Sequence, residues 1–199
     1  MSVLRLLPLA LTALAAWPAC DRIAGPQAQV ATELMVASQP GARFAVRDCG
    51  ELMLTRADFS RRLFKLEGQG MVAVATVDAE ATLEGGVQVS YLGLERTPFR
   101  FEGARWQLDG PLLPALHEVL SLLCRRQRAL AEGDVAALRA LGFEPGPTSG
   151  GAADPFRVRR WILRVDRDGA EVLEQGETRN SRFALKRENG SFRPIPTVL

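Results

Sequence analysis

The residues of this chain that could do chemistry are one histidine, three cysteines and a few strand acids. His117 has no second histidine or cysteine at ligand spacing, so a zinc site is not indicated. Cys124 lies seven residues further on, almost on the same helix face, and no Asn or Asp is placed to orient a His–Cys nucleophile pair. The acids on or beside predicted strands are Asp78, Glu80, Asp166 and Asp168. The sequence alone does not pair them for acid–base work. The chain also has no GxGxxG, P-loop, HExxH or GxSxG motif, so we predict no catalytic residue, no bound metal and no cofactor.

The N-terminus has the layout of a secretory signal peptide. A short basic head at Arg5 precedes an apolar run, residues 6–16. Its eleven residues are too few for a membrane-spanning helix, which needs about 20. We therefore expect residues 1–19 to be a signal peptide, so that the rest of the chain is exported.

The end of this segment resembles a bacterial lipoprotein signal. Ala19 is the small residue before Cys20, and residues 20–29 form a polar tether containing Gly, Pro and Gln. The resemblance implies that Cys20 is acylated and becomes the new N-terminus, which anchors the protein to a membrane of the cell envelope. Several acyl chains hold a protein on a membrane far more firmly than one does. The alternative is ordinary cleavage after Ala15, which would leave Cys20 free in a secreted chain.

Acylation of Cys20 would leave Cys49 and Cys124 as a pair in an oxidising compartment. A disulfide between them is one interpretation. The other is that Cys124, at the edge of an apolar helical stripe, is a small free core residue.

The elements that position these residues are organised around residues 114–141. Leu116, Val119, Leu120, Leu123, Gln127 and Leu130 recur with helical period and predict a helix with one buried face. Pro114 suits its first turn, and Gly133 the position just after its last. Asp134 is placed to cap a second short helix, so the segment predicts helix, tight turn, helix.

On both sides of the helical segment the pattern predicts strands. Residues 71–83 are apolar at every odd position, which is typical of a half-buried strand. An antiparallel meander through residue 108 and a looser series of strands from Trp161 to Ile195 complete the two halves. Before residue 71, we predict short helices at residues 30–38 and 55–67, the second from the helical spacing of Phe59, Leu63 and Leu66.

The helical part ALAEGDVAALRAL (129–141) followed by RFALKRENGSFRPI (182–195) resembles the NTF2-like, or cystatin-like, superfamily. The resemblance implies an α+β fold, with a curved antiparallel sheet packed on a central long helix and a pocket between them. The two halves, residues 30–110 and 111–199, could also be similar αβ units. Strand, turn and aromatic hairpin recur in both.

Composition limits the function classes. The chain is 47% hydrophobic and 24% charged, as in ordinary globular proteins, and a net charge of +2 gives no field that would attract nucleic acid. We expect an exported, lipid-anchored envelope protein with a non-catalytic binding or interaction domain. Its partners would be the membrane, through the lipid, and another envelope protein. The alternative is a small-ligand carrier or enzyme with a pocket between helix and sheet.

Overall fold

The computed structural model describes residues 25–144 and 157–195, which contain three helices and nine strands. The N-terminal elements are α1 Pro26–Ala37, β1 Arg43–Val46, β2 Gly50–Glu67, β3 Gly70–Leu83, β4 Gln88–Glu102 and β5 Arg105–Leu108. The C-terminal elements are α2 Pro114–Glu132, α3 Val135–Ala140, β6 Val158–Val165, β7 Gly169–Gly176, β8 Asn180–Glu188 and β9 Ser191–Pro194. The predicted signal peptide and Cys20 lie outside the described residues.

All nine strands belong to one mixed sheet, in the order β1-β2-β3-β4-β6-β7-β8-β9. β4 pairs with β6 in parallel over residues 88–93 and 160–165, and with β5 in antiparallel fashion over residues 99–102. The parallel pair arises because the chain crosses through α2 and α3 before it re-enters the sheet beside β4. The two halves of the chain are therefore continuous in a single sheet.

The predicted fold class is wrong. Strands hold 53% of the described residues and helices only 23%, so the protein is mainly a nine-stranded mixed sheet, not an NTF2-like α+β fold with an antiparallel sheet on a central long helix. The prediction missed the extent of β2 and β4, which run for 18 and 15 residues where about 5 or 6 are usual. It also assumed antiparallel neighbours throughout, because a parallel pair between β4 and β6 leaves no local signal in the sequence.

The strand predicted at residues 71–83 is confirmed as β3. Its odd residues, from Met71 to Leu83, are buried, while Asp78 on the opposite face is exposed. The same parity continues through β4, where Val89, Tyr91 and Phe99 are buried. One face of the sheet is thus the core face.

The short helix predicted at residues 55–67 is wrong, because this segment is part of β2. β2 pairs with β3 along nearly its whole length, and its register shifts between Leu54 and Arg56 and again between Ser60 and Leu63. Each shift inserts unpaired residues and changes which side chains face the core. Arg61, within the second shift, has a φ of 51°. Helix-like spacing of apolar residues in this segment is therefore produced by an irregular strand.

The helix–turn–helix prediction is confirmed. Gly133 ends α2 with a φ of 67°, a conformation that glycine adopts without a Cβ clash. The side chain of Asp134 then accepts a hydrogen bond from the backbone N–H of Ala137, 2.9 Å away, and caps α3. The predicted stripe holds only in part. Leu116, Val119, Leu120 and Leu123 are buried as expected, but Leu130 is 41% exposed.

α2 contacts the central strand β4 and both edge strands, β1 and β9. Opposite edges of one sheet reach the same helix only if the sheet curves around it. Ala115, Ser121 and Leu122 lie outside the predicted stripe and are nevertheless buried. The first half of α2 is therefore covered on more than one side, and the gap between the two sheet edges becomes the main concave feature near the helix.

Candidate functional site

Cys49 and Cys124 form a disulfide, with their Cα atoms 5.4 Å apart. Cys49 lies in the turn between β1 and β2, and Cys124 lies in the middle of α2. Both are partly buried against the core. The bond therefore fastens one edge of the sheet to the helix across a sequence separation of 75 residues.

Next to this bond, three arginines lie close to the carboxylate of Asp48. We call Arg47, Arg125 and Arg128 the arginine cluster. Each has a guanidinium nitrogen 3.7 or 3.8 Å from a carboxylate oxygen of Asp48. Arg128 also donates to the backbone carbonyl of Asp48 at 3.1 Å. One carboxylate cannot neutralise three guanidinium groups, so the arginine cluster with Asp48 carries excess positive charge.

A cleft of about 600 Å³ lies between α2 and the two edge strands. Phe44 and Ala45 of β1 form one wall, and Ser191 and Phe192 of β9 form another. Leu108 and the segment 110–112, which leads into α2, complete it. Its volume is within the range of small-molecule sites, about 300–1,000 Å³.

α2 lines this cleft with His117, Ser121 and Arg125, which are spaced four residues apart and so share one helix face. Arg47 and Arg125, two members of the arginine cluster, also line it. The cleft therefore runs from apolar walls toward a positively charged rim.

Inside the cleft, the His117 side chain is mostly buried, and its Nε2 atom has no hydrogen-bond partner. Burial lowers the pKa of its imidazole below the usual value of 6.5. The ring centroid of Phe44 is 6.0 Å away. The imidazole is thus held in its neutral form at neutral pH with one nitrogen unused.

Glu118, the acid of the cleft, is already engaged. It accepts a hydrogen bond from the backbone N–H of Phe192 at 2.9 Å and one from Arg187 at 3.2 Å. The Arg187 guanidinium also lies 4.4 Å from the centroid of the Phe192 ring. These contacts hold β8 and β9 against α2 and offset the negative charge of Glu118.

Two buried acids connect the helix α2 to the sheet around the site, and neither was predicted from the sequence. Glu95 of β4 is buried beneath the first turn of α2, where it accepts hydrogen bonds from the N–H groups of Ala115 and Leu116 at 2.9 and 3.0 Å. Tyr91 donates its hydroxyl to Glu95 at 2.6 Å. Burial outweighs these bonds and raises the pKa of Glu95 to about 7. Glu95 is an odd-numbered residue of β4, like the buried Tyr91, and therefore lies on the same buried face of the strand. This alternation was the signal in the sequence that could have identified it.

The second acid is Glu174 of β7, which is fully buried. Arg126 donates to both of its carboxylate oxygens at 2.8 Å, and Gln127 and the indole N–H of Trp161 each donate at 3.1 Å. The Arg126 guanidinium lies over the rings of Phe143 and Phe183, at 5.0 and 4.8 Å. α2 is thereby fixed to β6, β7 and β8. Gln127, expected on the apolar stripe, belongs to this polar network.

The strand acids singled out from the sequence do not come together in one site. Asp78 is paired with Arg56, which also contacts Asp58, while Glu80 accepts from Ser90 at 2.8 Å. Asp166 accepts from the backbone N–H groups of Asp168 and Gly169 in the turn before β7. Within residues 25–144 and 157–195, no group of three or more His, Cys, Asp or Glu side chains could hold a metal ion.

A second recess, of about 810 Å³, lies where the β3–β4 turn meets the start of β6 and the end of β7. It is open, and many of its lining residues are polar or charged, including Arg159, Arg160 and Glu177. Arg159 and Glu177 pair with each other at 2.7 Å. It has no apolar wall comparable to that of the cleft on α2, which is therefore the better candidate site.

Comparison with known proteins identifies no relative: no family model, no curated protein and no solved structure matches this chain. The helices in the part of the chain that the structure describes are all too short or too polar to cross a membrane.

Proposed function

We propose that this chain is an exported protein, anchored through acylated Cys20 to a membrane of the cell envelope and facing the periplasm or cell surface. Its folded domain would bind another molecule without catalysing a reaction. The observation that carries the proposal is the disulfide between Cys49 and Cys124. Structural disulfides persist in oxidising compartments and are rare in the cytosol. Export to such a compartment is also supported by the signal-like N-terminus and by the even number of cysteines that remain besides Cys20.

The binding role is supported by the surface of the domain. Leu92 and Leu94 are exposed on the face of β4 that points away from the helices, where a protein partner could contact them. Single exposed apolar residues are ordinary on soluble proteins, so these two are weaker support than the cleft. A net charge of +2 is too small to favour nucleic acid as the partner.

Intact mass measurement and membrane fractionation test the proposed acylation and membrane attachment. The native protein, produced in a bacterial host, is compared with the variant Cys20→Ser and with Cys49→Ser/Cys124→Ser, which removes the disulfide but keeps the acylation site. We expect the native chain and the double variant to carry acyl groups and to sediment with membranes, and Cys20→Ser to do neither. A native protein that is soluble and cleaved after Ala15 would contradict the anchor. Two alkylatable thiols at Cys49 and Cys124 in the native exported protein would contradict its main support.

A second candidate function is a small-ligand carrier or an enzyme that uses a pocket. The observation that favours it is the cleft, since its volume of about 600 Å³ suits a small molecule and His117 is part of its lining. A small molecule retained through native purification and identified by mass spectrometry would favour this candidate over a protein partner.

A further inference from the structure

We infer that the cleft between β1, α2 and β9 binds a small amphipathic anion, a molecule with an apolar body and one anionic head such as a carboxylate. This inference deepens the proposed binding function, on which it rests for its biological setting. The cleft itself can be tested whether or not the protein is lipid-anchored.

The walls of the cleft favour a ligand with an apolar body. Phe44, Leu108, Leu112 and Phe192 line the cleft with apolar side chains on three sides, and Phe44 and Leu108 are the more exposed of these. Burying apolar surface is worth about 25 cal/mol per Å², so an aliphatic or aromatic body gains most from this environment. A volume of about 600 Å³ holds a small molecule more readily than a folded partner.

The positive charge of the rim favours an anionic head group on the ligand. Arg47 and Arg125 line the cleft, and among the residues that the structure describes the only carboxylate within 4.0 Å of either guanidinium is that of Asp48, which they share with Arg128. Glu118, the acid that lines the cleft, is held by Arg187 and by the N–H of Phe192. An arriving anion therefore meets guanidinium groups in excess of carboxylate at one end, while Glu118, the carboxylate of the described cleft lining, is already paired.

The remaining ionisable side chain of the cleft lining is His117. Its Nε2 atom has no hydrogen-bond partner but is itself buried, so this atom presents neither a donor nor an acceptor to a ligand in the cleft. Ser121 and Ser191 are the neutral polar side chains of the lining. A positive charge on the ligand would be repelled by the rim.

The test uses the full chain carrying Cys20→Ser, which removes the acylation site, and two matched fluorescent probes. Anilinonaphthalene sulfonate has an apolar body with one anionic group, and phenylnaphthylamine is its uncharged counterpart. The rim variant is Arg47→Ala/Arg125→Ala. The control is Arg96→Ala/Arg182→Ala, which removes two exposed, ion-paired arginines that do not line the cleft and so changes the net charge equally.

We expect the rim variant to bind the anionic probe roughly fivefold more weakly, because exposed charge pairs each contribute modestly. Its affinity for the neutral probe should stay the same. The control variant should bind both probes as the parent does, and added salt should weaken only the anionic probe. Equal loss in the rim and control variants, or equal loss of both probes in the rim variant, would overturn the assignment of the head group.

A third variant tests the location. Ala45 is exposed at the mouth of the cleft, so Ala45→Trp should fill the cleft without disturbing the core and should abolish binding of both probes. Unchanged probe binding in a variant with an unaltered melting temperature would place the probes elsewhere and refute the site.

The source of the anion is separated by competition. Dodecanoate, a free amphipathic anion, should displace the anionic probe. Displacement by vesicles of anionic phospholipid but not by dodecanoate would show that this face contacts a membrane surface and would refute the small-ligand inference. Failure of any of these binding tests leaves the acylation result at Cys20 standing, and the reverse also holds.

Discussion

Breaking the buried ion pair between Arg126 and Glu174 from one side should be one of the most destabilising single substitutions in this protein. Glu174 is 0% exposed and Arg126 only 16% exposed, and the two share two hydrogen bonds at 2.8 Å. The substitution Arg126→Met retains much of the side-chain volume between Phe143 and Phe183 but leaves the Glu174 carboxylate buried without its cation.

Removing one partner of a buried pair typically costs about 3–5 kcal/mol, because the other charge is left uncompensated. The residual exposure of Arg126 lets water approach the site, and Gln127 and Trp161 still donate to Glu174, so we take the lower end, about 3 kcal/mol. For a chain of this size, about 1 kcal/mol lowers the melting temperature by about 2–4 °C. Arg126→Met should therefore melt roughly 6–12 °C below the parent.

A double variant also removes the buried negative charge of Glu174. In Arg126→Met/Glu174→Gln the remaining amide is neutral and can still accept from Trp161, so about 2 kcal/mol of the loss should be recovered. The matched control is Arg182→Met, which breaks the exposed pair with Glu171 and should change the free energy of unfolding by less than about 1 kcal/mol.

The assay is urea unfolding of the Cys20→Ser protein under non-reducing conditions, followed by tryptophan fluorescence and circular dichroism. Trp161 touches Glu174, so agreement between the two probes is needed before a two-state free energy is extracted. The reasoning is refuted if Arg126→Met is no more destabilising than Arg182→Met. It is also refuted if the double variant is less stable than the single one.

Three further predictions concern the rest of the fold. Reduction of the Cys49–Cys124 bond, or its replacement by two serines, should lower the free energy of unfolding by roughly 4–5 kcal/mol, the chain-entropy value for a loop closed over 75 residues. Chemical denaturation with and without reductant measures this, and an unchanged midpoint would contradict it. Glu95 has a pKa of about 7 in the folded protein against about 4.5 unfolded, so its protonation stabilises the fold below pH 4.5 and that stability is lost as the pH rises through 7. The free energy of unfolding of Glu95→Gln, taken relative to that of the parent, should therefore rise by up to roughly 3 kcal/mol between pH 5 and pH 8. A pH-independent difference in urea titrations would exclude this. Loss of the α3 cap in Asp134→Ala should cost about 1 kcal/mol, with Asp134→Asn retaining most of it, as thermal melts of the two variants would show.

Local signals in the sequence were sufficient for several elements. The strict alternation of residues 71–83 identified β3, because side chains of a strand alternate between two faces whatever its neighbours are. Pro114, Gly133 and Asp134 marked the ends of α2 and the start of α3, because helix termini impose requirements that individual residues meet. His117 and Cys124 were correctly placed on one helix, but the pattern carried no information about what faces them.

The candidate site depended on contacts between segments that are distant in the chain. Arg47 and Arg125 share Asp48 only because the β1–β2 turn lies against α2, and Phe44 and Phe192 face one cleft only because the two edges of the sheet approach the same helix. Glu95 and Glu174 read as ordinary strand acids until their donors, from the first turn of α2 and from Arg126, are seen.

The sequence by itself determined the ends of the two helices α2 and α3 and the half-buried β3, since each of these follows from the chemistry of neighbouring residues. The export signal at the N-terminus stays a prediction. Tertiary structure alone decided that residues 55–67 extend β2, that β4 and β6 pair in parallel, and that one sheet curves around α2. The physical reason is that strand pairing, register shifts and the burial of charged groups are set by free energies between remote segments. No local periodicity in the chain encodes those terms.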